Sequence, residues 1–287
     1  KSVKQLWDDN ANTTGQPEST NVYLNGNTYH TPDYSKKSGL DVIDFAMHWN
    51  FYEARNAFGV AVGSDKFYND ASWNVVYVDS HDYAPDECQK FRFNKGTDAW
   101  AENLSLMFTF RGIPCVYYGS EIEFQKGKPI DPADGDFRVP FADSGRAYYG
   151  ANLEGTVSAS DYGVYTASGT VADTLAQPLS KHIITLNKIR RAIPALQKGQ
   201  YSVEGISGSG MAFKRRFTSG SEDSMALVVI SGTASFTDVP NGKWVDVVTG
   251  DVQNGTTINA TASGSGNIRV YVLNGSKMSG LESPFIK

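Results

Sequence analysis

Two continuous apolar runs, separated by one segment with helical spacing, constrain the fold of this chain more than any other feature. The first run covers residues 75–78 and is rich in valine, and the second covers residues 113–118. Apolar runs without alternation are typical of parallel strands that are buried on both faces. Between the runs, Ala101, Leu104 and Phe108 recur on one face of a helix. The order strand, helix, strand predicts a parallel α/β sheet.

Further helices are predicted on either side of this unit. Residues 1–38 are rich in Asn, Thr and Gly without an apolar period, and they predict a long loop. After them, apolar residues recur on one helical face at Val42, Phe45, Ala46, Trp49 and Tyr52. A later helix begins at Pro178 and ends before Pro194. Its apolar face is formed by Leu179, Ile183, Leu186, Ile189 and Ile193.

Beyond Gln200 the apolar period changes from helical to two. The new period is seen at Met211 and Phe213 and again at Ile268, Val270 and Val272. Turn signals at residues 240–242 and 249–251 separate such runs. We therefore predict an antiparallel β-domain over residues 199–275. Residues 276–287 mix Ser, Gly and Pro, which favours a linker.

Charge and composition argue against two classes of partner. The chain has 26 Lys and Arg residues against 31 Asp and Glu, a net charge of -5, and its cations are scattered. We expect no nucleic-acid partner, because tracking a phosphate backbone requires a basic stripe. We expect no membrane partner, because no apolar stretch approaches the roughly 20 residues of a membrane-spanning helix. Few lysines with many Asn, Thr, Ser and Gly residues favour an extracellular, secreted protein.

The two cysteines, Cys88 and Cys115, lie in different segments without C-x-x-C spacing. They cannot form a metal cluster by themselves. Cys115 falls inside the second predicted strand, where a buried thiol often acts as a small hydrophobic group, and a disulfide with Cys88 is the alternative.

The first candidate site directly follows the first predicted strand. In parallel α/β barrels, reactive side chains lie where strands end at the carboxyl face, and His81 and Asp82 occupy that position here. An imidazole and a carboxylate side by side can hold a pair of sugar hydroxyls, since the carboxylate accepts two hydrogen bonds. A purely structural pair is the alternative.

Three segments of the chain resemble the α-amylase family of glycoside hydrolases. Residues 75–82 (VVYVDSHD) resemble its fourth signature segment, residues 108–121 (FTFRGIPCVYYGSE) its eighth barrel strand, and residues 38–45 (SGLDVIDF) its sixth. The resemblance covers roughly residues 39–194 and extends more loosely beyond them. It implies a partial (β/α)8 TIM-type barrel, about strands 6–8, over residues 39–198, followed by an all-β antiparallel sandwich domain over residues 199–275.

The resemblance also implies roles for the residues after the first strand. Asp82 would be the third carboxylate of the active site, which orients sugar hydroxyls and favours an oxocarbenium-like transition state. His81 would hydrogen-bond the same sugar, and Tyr83 would stack on its apolar face. The implied activity is retaining cleavage of α-1,4-glucosidic bonds in starch and maltooligosaccharides.

The nucleophile and the acid of the family have no counterpart in this sequence. The G-x-R-x-D segment is missing, and neither Asp41 nor Asp44 has an Arg two residues earlier. We therefore expect the chain to begin after the fifth barrel strand, to need the complementary N-terminal half, and to be inactive alone. The alternatives are a cyclodextrin glucanotransferase or cyclomaltodextrinase-like activity and a non-catalytic sugar-binding fragment.

The second candidate site is the aspartate-rich segment 131–138 (DPADGDFR). Carboxylates at this spacing suggest calcium, but no bidentate Glu follows as in an EF-hand loop, so we assign no metal ligand. The resemblance implies instead that Asp134 and Arg138 bind glucose units farther along the donor side. A solvated acidic turn is the alternative. The resemblance also implies calcium for the complete enzyme, with its usual ligands mainly outside this chain.

Three other charged residues are not assigned to the site. Glu121 follows the second strand, where a partly buried, hydrogen-bonded carboxylate is at least as consistent with the sequence as catalysis. Arg190 and Arg191, on the last predicted helix, are expected to form a solvated or ion-paired face.

Overall fold

The structure is a computed structural model that describes residues 22–23, 27–28, 42–65, 71–130, 154–161, 164–219 and 221–287. Its helices are α1 (Phe45–Asn50), α2 (Ala54–Ser64), α3 (Thr97–Thr109), α4 (Thr170–Ala176), α5 (Pro178–Ala192) and α6 (Pro194–Lys198). Its strands are β1 (Val22–Tyr23), β2 (Asn27–Thr28), β3 (Val75–Val76), β4 (Ile113–Pro114), β5 (Thr156–Asp161), β6 (Val164–Ser168), β7 (Gln200–Ser202), β8 (Ile206–Ser207), β9 (Met211–Ser219), β10 (Glu222–Ile230), β11 (Gly232–Phe236), β12 (Gly242–Asp246), β13 (Val252–Gly255), β14 (Ile258–Ala262) and β15 (Ile268–Leu273).

Three parallel segments lie side by side in the first half of the described chain. β3 pairs with β4 in parallel, joining Val75 to Ile113 and Val76 to Pro114. On the other side of β3, Ile43 forms a parallel bridge to Val75. α1 and α2 connect the first segment to β3, and α3 connects β3 to β4. The predicted parallel order is confirmed, although the hydrogen-bonded strands are shorter than the apolar runs.

The buried face of α1 differs from the predicted one. Met47, His48 and Phe51 are fully buried, whereas Phe45 is 48% exposed and Trp49 is only partly buried. A helix of six residues covers less than two turns. Over so short a length, the spacing of apolar residues does not determine which face meets the core.

The apolar positions predicted for α3 and α5 are largely buried, although α3 is buried on all sides over its second half. Ala101 and Leu104 of α3 are buried, as are Leu186 and Ile189 of α5. α5 begins at Pro178 as predicted, where the missing backbone donor of proline costs nothing. None of the helices in the described part of the chain has the length and apolarity that crossing a bilayer requires.

Arg190 is the clearest correction on α5. Its guanidinium donates hydrogen bonds to the carbonyl oxygens of Phe108 and Gly112, each at 2.9 Å. Burial lowers the pKa of Arg190 to about 10. The expectation of a solvated face is therefore wrong for this residue, because it satisfies carbonyls at the end of α3.

Beyond residue 199, the described chain forms two antiparallel sheets. One has the strand order β13-β12-β15-β10-β9-β7, and the other has the order β14-β11-β8. Both sheets contribute to one apolar cluster, which includes Leu227 and Val229 of β10, Phe236 of β11 and Ile258 of β14. The chain therefore has a mixed α/β fold with antiparallel sheets.

The two halves are joined by buried polar contacts. The Ser105 hydroxyl of α3 donates to the carbonyl of Gly266 at 2.6 Å. Arg215 of β9 donates to the carbonyl of Thr109 at 3.1 Å, at the end of α3. One continuous apolar core includes residues of both halves. α3 is consequently held between the parallel segments and the large antiparallel sheet.

Residues 276–287 pack against the rest of the chain, although their composition favours a linker. Ile286 is buried, and Phe285 packs on the same core. The Ser283 hydroxyl lies 2.7 Å from Nδ1 of His182 in α5. The apolar side chains near the end of this segment are sufficient to fix it, because each gains by leaving water.

Candidate functional site

His81, Asp82 and Tyr83 lie directly beyond the carboxyl end of β3, where the sequence places them. The turn is held by Ser80, whose hydroxyl donates to the Tyr83 carbonyl at 2.9 Å. The same hydroxyl oxygen accepts the backbone N–H groups of Asp82 and Tyr83, at 3.1 and 3.0 Å. One serine thus fixes the backbone that carries all three candidate side chains.

The His81 and Asp82 side chains contact each other at the surface. Nε2 of His81 lies 3.1 Å from Oδ2 of Asp82, and the two side chains are 66% and 54% exposed. An exposed pair of this kind contributes little to stability. Its polar atoms can still reach a ligand, since a carboxylate has lone pairs for more than one donor.

A buried ion pair lies between the exits of β3 and β4, next to this turn. Nε of Arg92 donates to Oδ2 of Asp79 at 2.8 Å, and both side chains are almost fully buried. Burial raises the pKa of Asp79 to about 6, although Arg92 acts in the opposite direction. Arg92 also donates to the carbonyl of Tyr118, at 3.3 and 3.4 Å. It therefore joins the exits of β3 and β4 and fixes their relative position.

Aromatic rings lie near His81 and near the adjacent Tyr83. Tyr117, after β4, lies 6.5 Å from the ring of His81. Trp49 of α1 lies 5.5 Å from the ring of Tyr83. Tyr83 is among the site residues predicted from the sequence, whereas the apolar spacing predicts Trp49 on a buried helical face. The available signal was the position of Trp49, just after the first parallel segment.

Asp44 has a structural role at the same edge of the sheet. One carboxylate oxygen accepts the N–H of Met47 at 3.0 Å and caps α1. The other accepts from Nδ2 of Asn74 at 3.2 Å and from Arg111 at 2.5 Å. These contacts occupy the carboxylate and leave it buried. Asp44 is therefore a structural residue, in agreement with the absence of an Arg two residues before it in the sequence.

The described residues bear on the metal prediction and on the cysteines, but they do not include the second candidate site. Among the described residues, no group of three His, Cys, Asp or Glu side chains is placed to bind a metal ion. The calcium implied by the resemblance, with its usual ligands mainly outside this chain, stays a prediction. Asp134 and Arg138 lie outside the described residues. Cys88 and Cys115 are free thiols, and Cys115 is exposed rather than buried.

Known proteins resemble this chain over most of its length. No family model matches it. A cyclomaltodextrin glucanotransferase from Bacillus sp. (strain 38-2) is 24% identical over 254 residues, which are 83% of this chain and 29% of that protein. The crystal structure of an alpha-amylase from Anoxybacillus has a TM-score of 0.52 and 17% identity, covering 85% of this chain and 49% of its own. The resemblance to the α-amylase family is confirmed.

A second solved α-amylase agrees with this result. The structure of the enzyme from Geobacillus thermoleovorans, complexed with acarbose, has a TM-score of 0.50 and 17% identity and covers 83% of this chain and 49% of its own. At such identity the solved structures show the fold alone. The chain spans less than a third of the length of the curated relative, 29%.

The structure brings three of the five predicted site residues together. His81, Asp82 and Tyr83 share one turn, and their roles toward a sugar stay predictions. Glu121 lies in a short turn after β4, where its backbone carbonyl accepts from the Ser180 hydroxyl at 3.1 Å. Only the backbone of Glu121 takes part in this contact, so the contact assigns no role to the Glu121 side chain.

Proposed function

We propose that this chain forms part of an α-amylase-type glycoside hydrolase that cleaves α-1,4-glucosidic bonds of starch and related α-glucans by a retaining mechanism. The observation that carries the proposal is the exposed His81–Asp82 pair at the carboxyl end of β3. The aromatic rings near His81 and Tyr83 suit a sugar, because they can pack on the apolar C–H faces of its ring.

In this proposal Asp82 acts on the transition state rather than on the bond itself. Its carboxylate accepts hydrogen bonds from two hydroxyls of the sugar beside the scissile bond. These bonds strengthen as the ring flattens toward an oxocarbenium ion. His81 holds the same sugar, and Tyr83 packs on it. Asp134 and Arg138 bind glucose units farther along the donor side.

The two carboxylates that make and break bonds are proposed to lie outside residues 1–287. A retaining mechanism needs a nucleophile and an acid/base group about 5–5.5 Å apart. The sequence has no segment resembling those that carry them in the family. We propose that a complementary part of a (β/α)8 barrel supplies both, in a secreted enzyme that binds calcium elsewhere, and that the β-domain is a sandwich.

An exposed apolar surface supports the proposed barrel complement. Ile43, Ile113 and Val116 belong to the three parallel segments or directly follow them, and all three are exposed. Exposed apolar groups on the outer segments of a sheet favour a protein neighbour. Further β/α units extending the parallel sheet would cover them.

A transferase is the second candidate, because several curated relatives are cyclomaltodextrin glucanotransferases. Product analysis separates the two functions. Starch is incubated with the complete enzyme of which this chain is proposed to form a part. The products are then resolved by chromatography. Linear maltooligosaccharides support the hydrolase, and cyclic products support the transferase.

The matched control for product analysis is Asp82→Asn, which keeps the shape of the side chain and removes its charge. Both functions require this variant to form far less product. If neither product class arises from the parent protein, the sugar-binding alternative without catalysis replaces the proposal.

A further inference from the structure

One face of α1 exposes aromatic rings that the core does not use. Phe45 is 48% exposed, although a helix packed on a sheet normally turns its aromatic residues inward. Trp49 lies one turn later and is only partly buried. The core side of the helix is already filled by Met47 and Phe51. The outer rings are therefore available to something other than the core.

These rings form a continuous path to the Asp82 turn. Phe45 and Trp49 are nearly parallel, with centroids 6.2 Å apart and planes at 18°. Trp49 lies 5.5 Å from Tyr83, which is 46% exposed. Tyr83 directly follows Asp82 in the chain. Any extended ligand held at Asp82 can continue across Tyr83 to Trp49.

The path is held in place before any ligand arrives. The buried His48 ring packs 4.6 Å from Trp49 and 4.3 Å from Tyr77, and so backs the indole from the core side. The cap by Asp44 fixes the start of α1. Rings that are already ordered lose little freedom on binding, which favours affinity.

We propose that Trp49, together with Tyr83, binds glucose units of an α-glucan chain beyond the sugar held at Asp82. The inference rests on the proposed function, and it adds Trp49 as a residue that determines preference for long substrates. The occupant is a carbohydrate rather than a protein, because the aromatic path is continuous with the exposed hydrogen-bonding pair at His81 and Asp82. Phe45 stacks on Trp49 and keeps its plane fixed.

The test compares Trp49→Ala with a matched control, Trp73→Ala, in the native protein. Trp73 is also exposed, at 43%, but it lies in the turn before β3, at the strand end opposite Asp82. kcat and KM are measured on a short and a long maltooligosaccharide. We expect Trp49→Ala to lower kcat/KM about 3- to 10-fold on the long substrate only, as the loss of one stacked ring implies.

A conservative variant separates binding from folding. Trp49→Tyr keeps an aromatic face and should retain most of the long-substrate preference, while urea unfolding monitors the stability of each variant. The proposal is overturned if Trp49→Ala behaves like Trp73→Ala, or if it weakens short and long substrates equally.

The same assay distinguishes this proposal from the one on which it rests. If Asp82→Asn is inactive and Trp49→Ala has no length-dependent effect, only the binding role of Trp49 fails. If Asp82→Asn keeps full activity, the proposed function itself fails.

Discussion

His182 makes the stability of this fold depend on pH in a direction that can be calculated. The side chain is fully buried in α5. Nε2 lies 2.9 Å from the carbonyl of Ala101, which can only accept, so this nitrogen carries the proton. Nδ1 then accepts from the Ser283 hydroxyl at 2.7 Å. Burial lowers the pKa of His182 from 6.5 to about 4.

The sign of the effect follows from this lowered pKa. Well above pH 6.5 the ring is neutral in both the folded and the unfolded state. The full free energy of unfolding is then present. As the pH falls toward 4, the unfolded chain takes up a proton that the folded protein does not. Each unit of pKa difference is worth about 1.4 kcal/mol, so His182 should cost the fold about 3 kcal/mol by pH 4.

Other buried groups titrate in the same range and must be separated from His182. Burial also lowers the pKa of His48 to about 4, which adds a loss of the same sign. Asp79 acts in the opposite sense, because its raised pKa, about 6, favours the folded state at low pH and loses that contribution as the pH rises from 3.8 to 6. The total pH dependence therefore mixes opposing contributions.

The variant His182→Gln isolates one contribution. Its free energy of unfolding, measured by urea titration with tryptophan fluorescence, should be lower than that of the parent at pH 7. The difference between the two proteins should shrink by about 3 kcal/mol between pH 7 and pH 4, because only the parent carries this histidine. A difference that stays constant over this range would refute the reasoning.

Three further predictions concern the support of the site and its completeness. Arg92→Ala leaves Asp79 buried without its cation and should lower the free energy of unfolding by about 3–5 kcal/mol; a loss under about 1 kcal/mol in urea titration would contradict the pair's role. In a thiol titration of the chain, the exposed Cys115 should react at once, while Cys88, buried and with its pKa raised to about 12, should react only after unfolding. Rapid reaction of both thiols would show the burial of Cys88 to be wrong. Purified residues 1–287 should release no reducing sugar from starch, and release that Asp82→Asn abolishes would place the missing carboxylates inside this chain.

The sequence was most informative where one pattern ran through a long element. α3 and α5 have 13 and 15 residues, and the apolar positions that the sequence pattern picks out in α3 are buried, as is the predicted face of α5 at Leu179, Leu186 and Ile189. The position of His81 and Asp82 was predicted from the end of a parallel strand. That prediction needs only the local sequence and no knowledge of which segments pack beside it. Motif resemblance supplied the family, which the comparisons confirm.

The remaining features depend on contacts that a periodic pattern does not contain. α1 is too short for its apolar spacing to define a face, so Trp49 was assigned to the wrong environment. Arg190 donates to carbonyls that only the folded end of α3 presents to it. Residues 276–287 pack on the core through apolar side chains such as Phe285 and Ile286. The overall composition of the segment, which mixes Ser, Gly and Pro, does not indicate this packing. The roles of Asp134 and Arg138 stay predictions.

The catalytic role of Asp82 is tested most directly by kcat of Asp82→Asn on a maltooligosaccharide, measured in the native protein beside the parent. The carboxylate is proposed to strengthen its hydrogen bonds to the sugar as the transition state forms. Its loss should therefore lower kcat roughly 10³-fold or more while KM changes little. A kcat close to that of the parent would contradict the assignment of Asp82 and, with it, the proposed function.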